Sequence, residues 1–402
     1  MVSEHASPLA TLGGVDAGGQ NVFVSCLASA LARQGMEVTV YTRRDDPELP
    51  EQFQLCPGVV IEHVQAGPAK RIFRDRLLRY MPAFGRRLRR RLESDPPALV
   101  HAHFWMSGLA ARAASQGLEV PFAQTFHALG SVKRREQRDK DTSPPQRVQL
   151  ERELMKSCDR VIATCSDEVF ELVRQGADQR RIAVVPGGVD LDVFHPDGPA
   201  LARPQGASLH VLVVSRLVER KGVGNLVTAI AQVPGAHLSV AGGPPRDRLR
   251  WDREVRRYRR LAADHGAADR VHFQGSVSRT DVAAMIRGAD VMACVPWYEP
   301  FGMTALEGMA CGVPVVATAV GGLVDTVIDG VTGLHVPPRR PDEIADALLR
   351  LQRDPALRRR LGAAGVQRAR ERYGWDSVAA ATLDVYRRLV SRARVQAVEA
   401  RR

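Results

Sequence analysis

The sequence predicts two consecutive α/β domains, each built on a doubly wound parallel sheet. Its 402 residues exceed what one ordinary core needs and suit two domains of about 150 to 200 residues. Short β-branched runs alternate with amphipathic helical patterns in two separate series, which favours parallel sheets covered by helices. A stretch rich in Pro and Gly separates the two series, so we expect the domains to be joined there.

The first series begins with a helix followed by a strand. Val22, Leu27 and Leu31 recur at helical spacing, Gly35 stops the helix, and "EVTVYT" follows as a strand. Before them, "MVSEH" is too short for a full first strand, so we expect either a frayed edge of the first sheet or a start inside the strand. Further strands are predicted at 98–103, 121–127, 160–165 and 181–186.

The second series contains six strands, predicted at 209–217, 236–243, 270–276, 290–296, 314–318 and 333–337. Residues 186–208 lack periodicity and read as a linker region. We therefore expect an N-terminal domain over 1–195, a linker over 196–207 and a C-terminal domain over 208–375. The final helix, 376–402, is expected to pack back on the first domain.

Composition and charge narrow the class of protein. The chain is 45% hydrophobic and 25% charged, as in globular proteins, and it has neither a membrane-spanning run nor a secretory signal, so a cytoplasmic protein is expected. Six scattered cysteines without CxxC spacing indicate reduced thiols. The net charge of +12 fits an anionic ligand, a membrane surface, nucleic acid or a coding bias towards Arg.

The densest basic cluster is 70–95, where Ile72, Leu77, Leu78 and Leu88 recur among arginines. It is interpreted either as the solvated face of an ordinary helix or as a surface for an anionic acceptor or lipid. Peripheral membrane contact through this segment is the sharper of the two hypotheses.

Two features of the first domain point to a ligand. The glycine-rich loop "GGVDAGGQNVF" (13–23) enters a helix and can present backbone N–H groups to a phosphate, or it is a structural turn; it matches neither GxGxxG nor the P-loop pattern. His101, His103 and His127 fall near the carboxyl ends of strands, where open α/β sheets bind ligands. Position at the strand end ranks His127 first.

The segment "SRLVERKG" (215–222) follows the first strand of the second domain. Arg216 and Lys221 would project from the carboxyl end of that strand, where two cations can neutralise a departing diphosphate. The alternative is two exposed basic residues in a loop. Because no HxxxH or CxxC spacing occurs and no convincing DxD motif is found, we expect no metal and no cofactor.

The stretch "WYEPFGMTALEGMACGVPVVATAVGG" (297–322) sets Glu299 and Glu307 around a Phe-Gly turn. A helix is expected to start at Met303, so that free N–H groups there can hold a phosphate. Glu299 would meet a sugar hydroxyl, and Glu307 would reach the ligand cleft one turn later. The amides that we expect to hold the phosphate are those of Gly302, Met303 and Thr304.

Together these motifs resemble the retaining glycosyltransferases of family four, which have the GT-B fold. The resemblance rests on the E-x7-E pattern of Glu299 and Glu307, on "SRLVERKG", and on "VVPGGVDLDVFHP" and "DGVTGLHVPP", and it covers almost the whole chain. "HAHFWMSGLA" and "TFHALGSVK" are most similar to the mycothiol-pathway enzymes and the sucrose-phosphate synthases of that family. The resemblance implies two Rossmann-like domains facing a cleft, with the donor on the C-terminal domain.

The resemblance also implies roles for single residues. Arg216 and Lys221 would hold the donor diphosphate, Glu307 the ribose hydroxyls, and backbone groups near Ser276 and Val277 the base. His127 would lie beside the anomeric carbon. The sugar and its phosphate would be held by Glu299 and by the amides of Phe301, Gly302, Met303 and Thr304, with Gly18, Gly19 and Asn21 closing over the phosphate.

Members of the family are usually explained by a front-face displacement in which the leaving phosphate takes the proton of the acceptor. Phe104 stands where the mycothiol enzyme has a Tyr, and Ala128 where it has a Thr, which argues against inositol phosphate as acceptor. The anion contacts left for another small polar acceptor are Lys70, Arg74 and Lys133. The alternatives are a transferase that acts on a membrane lipid and a non-catalytic module that binds nucleotide-sugar or nucleic acid; a monomer and a homodimer are both open.

Overall fold

The structure is a computed structural model that describes residues 1–9 and 19–400, with side chains up to 393. Its strands are β1 Val38–Arg43, β2 Gln52–Cys56, β3 Val59–Val64, β4 Val100–His103, β5 Phe122–Thr125, β6 Arg160–Ala163, β7 Ile182–Val184, β8 Leu209–Val214, β9 Ala236–Ala241, β10 Val271–Gly275, β11 Val291–Cys294, β12 Val315–Thr318 and β13 Gly333–Val336. Its helices are α1 Gly19–Arg33, α2 Met81–Ser94, α3 Trp105–Ser115, α4 Gly130–Gln137, α5 Arg147–Ser157, α6 Ser166–Arg174, α7 Val223–Ala231, α8 Arg253–Asp264, α9 Arg279–Arg287, α10 Met303–Ala310, α11 Leu323–Thr326, α12 Pro341–Arg353, α13 Pro355–Arg372 and α14 Trp375–Ala400.

The chain forms two compact units, one of Met1–Pro186 with Trp375–Arg402 and one of Gly187–Gly374. The second unit therefore starts earlier than the boundary placed at 195, which is a correction. Val189 and Phe194 are buried in its core, and the Val189 N–H donates to the Tyr373 carbonyl at 2.7 Å. Residues 196–207 are not a free linker either, because the Leu201 N–H donates to the Ala284 carbonyl of α9 at 2.9 Å.

The sheet of the second unit has the strand order β10-β9-β8-β11-β12-β13, and its paired strands are parallel. When the six strands of this sheet are numbered 1 to 6 in chain order, their spatial order is 3-2-1-4-5-6, which is the doubly wound order. All six strands predicted for this half are present. The order reverses between β8 and β11, so the loops at the carboxyl ends of these two strands form the switch point where such sheets bind ligands.

The sheet of the first unit contains a parallel group, β4-β5-β6-β7, and a group β1-β3-β2 in which β2 is antiparallel. Residues 1–4 join the two groups, because Val2 bridges both Tyr41 and Ala102. The Val2 N–H donates to the His101 carbonyl and the Ser3 N–H to the Tyr41 carbonyl, each at 2.9 Å. The prediction of a frayed edge was wrong, since this short segment lies at the centre of the sheet.

The hairpin of β2 and β3 was not predicted from the sequence, although the Pro57-Gly58 pair between them is a turn signal. β2 is mostly exposed, so it lacks the apolar alternation that identifies a half-buried strand. α14 lies in the first unit, where the Trp375 ring packs edge-on against the Phe23 ring of α1 at a centroid distance of 5.5 Å.

Helix α2 carries the basic cluster, and its apolar side is not free. Phe84, Leu88 and Leu92 are buried, and α2 packs extensively on α3. Arg91 forms ion pairs with Glu62 at 2.6 Å and Glu51 at 2.5 Å. The arginines thus form the solvated side of an amphipathic helix whose apolar side faces protein. No helix among the described residues is long and apolar enough to span a membrane.

Candidate functional site

The switch point of the second unit brings two loops into contact. The loop after β8 ends in a 3₁₀ turn, Glu219–Lys221, and leads into α7. The loop after β11 leads into α10. The Trp297 N–H of the second loop donates to the Arg220 carbonyl of the first at 2.8 Å, so the two predicted motifs are joined by their backbones.

Lys221 and Glu299 meet at this point. Lys221 Nζ lies 2.5 Å from Glu299 Oε2, and each side chain is 19% exposed. Burial alone would raise the pKa of Glu299, but Lys221, followed by Arg220 and Arg216, lowers it below its usual range. Glu299 is therefore ionised at neutral pH and a poor general acid. Lys221 is the residue shown in ion-pair contact with this carboxylate, and Arg216 is exposed.

The turn that carries Glu299 is shaped by glycines. Gly302 has a φ of 93°, a conformation that other residues rarely adopt. The pair that ends the motif, Gly321 and Gly322, packs against the turn. A Cβ added at Gly321 would lie 2.0 Å from the Glu299 carbonyl oxygen, while the Gly322 N–H donates to that oxygen at 3.0 Å. The two glycines are thus needed for the close approach of backbone to backbone.

Helix α10 starts at Met303, as predicted, and directs its N-terminus to the same edge of the sheet. Within the described chain, the N–H groups of Gly302, Met303 and Thr304 have no hydrogen-bond acceptor. Free N–H groups at a helix N-terminus, together with the helix dipole, make a ready anion site. The Thr304 hydroxyl lies 3.5 Å from the Cys294 sulfur.

Glu307 lies one turn further along α10 and is half-buried. Burial raises its pKa to about 7, with Arg279 acting in the opposite direction and Asp190 adding to the rise. Asp190 and Arg279 were not singled out from the sequence, and they are 3.9 Å apart. Val277 lies after the edge strand β10, partly buried against the core.

The first unit has its own candidate edge, at the carboxyl ends of β4 and β5. Two residues there adopt strained backbone conformations. Phe104 has a φ of 80° and His127 a φ of 59°, and the Ala128 N–H donates to the Phe126 carbonyl at 2.7 Å across His127, as in a γ-turn. Such conformations cost about 1–3 kcal/mol each and cluster at functional sites. Position at the strand end had already ranked His127 first.

Three histidines form a connected group behind this edge. His103 Nδ1 lies 3.0 Å from His127 Nε2, and His101 Nδ1 lies 2.7 Å from the Tyr386 hydroxyl of α14. The Thr125 hydroxyl donates to the Ile162 carbonyl, so it must accept from His101 Nε2 at 2.9 Å. His101 therefore carries its proton on Nε2 and accepts one from Tyr386.

Burial lowers the pKa of all three imidazoles, well below the usual value for His101 and His103 and to about 3 for His127. They are neutral at pH 7. A neutral His127 can donate or accept a hydrogen bond but adds no positive charge at this edge.

Two residues at this edge were missed from the sequence. Glu4 is 1% exposed; its carboxylate accepts from the Ser107 hydroxyl and contacts His5 Nδ1 at 2.7 Å. Arg147 is 2% exposed and donates to the Ala128 carbonyl at 2.5 Å and to Glu151 at 2.7 Å. Neither lies in a recognisable motif, and only the fold brings them beside the strand ends.

The predicted acceptor residues divide into a cluster and one outlier. The guanidinium groups of Arg74 and Arg147 lie 5.6 and 5.1 Å from the Phe104 ring centroid. Lys133 Nζ contacts Asp141 at 3.0 Å and Asp75 at 3.7 Å, so its charge is largely neutralised by carboxylates of the protein. Lys70 is exposed and stays outside these contacts.

The structure describes only the second part of the glycine-rich loop, from Gly19 onward. Gly18 lies outside the described residues, and Gly19 is the first residue of α1. Asn21 is 3% exposed, and its side-chain amide donates to the Ser7 carbonyl at 2.9 Å. Among the described residues, no group of three or more His, Cys, Asp or Glu side chains could hold a metal ion.

Family models match both halves of the chain. The model described as Glycosyltransferase Family 4 matches residues 17–193, and the model described as Glycosyl transferases group 1 matches residues 203–368. A protein named D-inositol 3-phosphate glycosyltransferase, from Streptomyces bingchenggensis, is 37% identical over 404 residues, which is 96% of this chain and 88% of that protein.

Solved structures agree in fold. Sucrose-phosphate synthase from Thermosynechococcus elongatus superposes with a TM-score of 0.86 at 32% identity, over 97% of this chain and 98% of its own. Anabaena HepE, crystallised with UDP and glucose, gives a TM-score of 0.73 at 19% identity, over 96% and 97% of the two chains, and this likeness concerns the fold alone. The chain thus belongs to the family-four glycosyltransferases and has the GT-B fold, as the E-x7-E pattern and the doubly wound second sheet indicated.

Proposed function

We propose that this protein is a retaining glycosyltransferase that moves a sugar from a nucleotide-diphosphate sugar to a hydroxyl, or similar nucleophile, of a small polar acceptor without a bound metal. One observation carries the proposal: Lys221, Glu299 and Arg216 converge at the switch point beside the free amides of α10. Cations and free N–H groups at one point suit a diphosphate. The expected location is the cytoplasm.

In the proposed reaction, the bond between the anomeric carbon and the diphosphate oxygen breaks while the acceptor oxygen bonds to the same face of the sugar. The acceptor proton passes to the leaving diphosphate oxygen. Arg216, Lys221 and the N-terminus of α10 stabilise the negative charge that builds on the diphosphate, which is the task of Mg²⁺ in metal-dependent transferases. Glu299 and Glu307 bind hydroxyls, and His127 remains the group predicted to lie beside the anomeric carbon.

The Lys221–Glu299 ion pair supports a positioning role over acid–base chemistry. A carboxylate whose pKa is lowered by three cations is not protonated at pH 7 and cannot act as a general acid. Its hydrogen-bonding oxygens remain suited to sugar hydroxyls. Lys221 in turn is held by Glu299, so its ammonium group is ordered before any donor binds.

The acceptor is proposed to be a small polar molecule other than an inositol phosphate. The curated relatives are named for D-inositol 3-phosphate, but Phe104 and Ala128 offer no side-chain hydroxyl, and Lys133 is already paired with Asp75 and Asp141. A membrane lipid has less support, because the apolar side of α2 is buried against α3.

The proposal is tested in two steps. A thermal-shift panel of UDP, GDP and ADP identifies the base, since a ligand at 100 times its Kd adds about 2.7 kcal/mol of apparent stability. The matching nucleotide-sugars are then offered with an acceptor panel that includes D-inositol 3-phosphate, with and without EDTA. We expect the product to keep the anomeric configuration of the donor, by NMR, and the rate to be unaffected by EDTA.

An inverted product, or a rate abolished by EDTA and restored by Mg²⁺, would overturn the proposal. Binding of a nucleotide without transfer or hydrolysis of any nucleotide-sugar would favour a non-catalytic binding module. Efficient transfer to D-inositol 3-phosphate would correct the acceptor while leaving the rest of the proposal intact.

A further inference from the structure

A cavity lies in the second unit, away from the switch point. It has a volume of about 630 Å³ and runs along β10, the edge strand of the sheet. It is lined by His237 and Ser239 of β9, by His272 of β10 and by residues 202–205. None of the residues assigned to the donor lines it.

The cavity is basic. Three arginines line it, Arg203, Arg246 and Arg259, against one carboxylate, Asp269. Arg203 is paired with Asp290. Arg246 and Arg259 are exposed and, among the described residues, neither has a carboxylate within ion-pair distance.

Two of the lining residues are histidines, which add hydrogen-bonding groups to the cavity. His237 Nδ1 and His272 Nε2 are 3.1 Å apart, and the rings are stacked at a centroid distance of 5.4 Å. Their other ring nitrogens have no hydrogen-bond partner in the described part of the chain. Burial is the first cause that lowers the pKa of both groups, so they face the cavity as neutral imidazoles, each with one N–H.

We propose that this cavity binds a small phosphorylated metabolite of about the size of a sugar phosphate. Its volume lies within the usual range of small-molecule sites. Guanidinium groups without carboxylate partners match phosphate oxygens in geometry and charge, while Asp269 and Gln274 can bond hydroxyls of the same ligand. Phe273 is the one aromatic residue besides the histidines in the lining, which disfavours a lipid chain or a stacked nucleobase.

The test uses two double variants with the same loss of charge on the same elements. Arg246→Gln with Arg259→Gln removes the two lining arginines. Arg248→Gln with Arg260→Gln changes exposed arginines of the same turn and the same helix, which do not line the cavity. Calorimetric titration of the full chain with glucose 6-phosphate, inorganic pyrophosphate and inorganic phosphate, at constant ionic strength, measures each Kd.

We expect the Kd for glucose 6-phosphate to rise at least tenfold in the first double variant and to stay within twofold of wild type in the second. Pyrophosphate preferred over glucose 6-phosphate would assign the site to free phosphate compounds instead. An equal loss of affinity in both double variants would show a general attraction of anions to the basic surface and would overturn the proposal. The proposal would also be overturned if neither variant changed the binding of the three probes, or if none of the probes bound.

A second measurement locates the ligand. The imidazole NMR signals of His237 and His272, assigned with His→Asn variants, should move on addition of glucose 6-phosphate, and their pKa values should rise because a nearby phosphate stabilises the protonated ring. The experiment is repeated with Lys221→Ala, which weakens the proposed diphosphate site. Signals that no longer respond in this variant would place the ligand at the switch point and contradict a separate cavity site.

Discussion

The carboxyl edges of the two sheets are built from different chemistry. In the second unit the edge holds an ion pair of Lys221 and Glu299, two further arginines and a helix N-terminus, shaped by glycines. In the first unit it holds neutral histidines, and strained non-glycine residues shape it, among them Phe104 and His127. One edge is centred on charged groups, whereas the histidines of the other are fixed and uncharged, and its charged residues Glu4 and Arg147 are buried and hydrogen-bonded within the protein.

This difference follows from what each edge is proposed to bind. A diphosphate carries negative charge that grows as it departs, so cations and free amides stabilise it. A reacting sugar and its acceptor need orientation by groups whose positions are fixed. Buried neutral imidazoles held by Tyr386, Thr125 and each other meet that need, because their ring positions are set by neighbouring hydrogen bonds.

The largest expected effect is at the charged edge. Lys221→Ala should lower kcat/KM by about 10²–10³, or about 3–4 kcal/mol of transition-state stabilisation, because it removes a cation from the proposed diphosphate site together with the ion-pair partner of Glu299. Initial rates at subsaturating donor measure it. Lys156→Ala, at an exposed lysine of α5, is the control. An unchanged kcat/KM with an intact fold would remove Lys221 from the site.

The second prediction concerns Glu307, whose pKa is raised by burial to about 7. Between about pH 4.5 and 7 the folded protein keeps a proton that the unfolded chain has released, so this group's contribution to stability is lost as the pH rises through that window. In the Glu307→Gln variant the side chain at position 307 is an amide and cannot ionise. The variant's free energy of unfolding relative to wild type should therefore increase from pH 4.5 to pH 8, by up to about 3 kcal/mol.

Urea unfolding at the two pH values measures this difference, and Glu371→Gln, at an exposed position of α13, is the matched control. A difference between variant and wild type that is the same at both pH values would mean that Glu307 ionises as easily in the folded protein as in the unfolded chain.

The third prediction tests whether the glycines of the charged edge are needed because two backbone segments approach closely there. Gly321→Ala places a Cβ 2.0 Å from the Glu299 carbonyl oxygen, whereas Gly330→Ala, also at a positive φ, meets nothing within 4 Å. Both changes cost about 1 kcal/mol for the left-handed backbone. Gly321→Ala should cost about 1–3 kcal/mol more and should also lower kcat/KM, because the turn that carries Glu299 must shift.

Equal losses in the two alanine variants, measured by urea unfolding, would show that only backbone conformation matters at Gly321. A loss of activity in Gly330→Ala alone would contradict the role given to the glycine pair.

The smallest effect belongs to the neutral edge. The pKa of His103 in the folded protein lies well below that of an exposed histidine because of burial, so below about pH 6.5 the unfolded chain takes up a proton that the folded protein does not. Stability from this group is present above pH 6.5 and is lost as the pH falls. His103→Gln should reduce the slope of unfolding free energy with pH, between pH 6.5 and 5, by up to about 1.4 kcal/mol per pH unit.

Urea unfolding along a pH series gives the slope, and the same substitution at the exposed His265 is the control. A slope that His103→Gln leaves unaltered would mean that His103 is charged in the folded protein, and the contrast between the two edges would disappear.

Prediction from sequence worked best where the signal lies in a continuous motif. The sequence predicted all six strands of the second unit, the start of α10 at Met303, and the proximity of Arg216, Lys221 and Glu299 at the strand ends. Each of these signals is local: an apolar run, a glycine turn, or a charged loop after a strand. The hairpin of β2 and β3 was missed because β2 is exposed. The domain boundary was misplaced because burial of Phe194 in the second core leaves no local signal of which core it joins.

The amino-acid sequence by itself determined the two α/β halves, the family and the residues of the charged edge, since these depend on periodicity and on motifs within a few residues of one another. Only the tertiary structure decided that residues 1–4 lie at the centre of the first sheet, that Glu4, Arg147 and Tyr386 support the histidine edge, and that arginines 246 and 259 border a cavity with His237 and His272. The physical reason is that these contacts join segments distant in sequence, and which of them meet depends on strand order and packing.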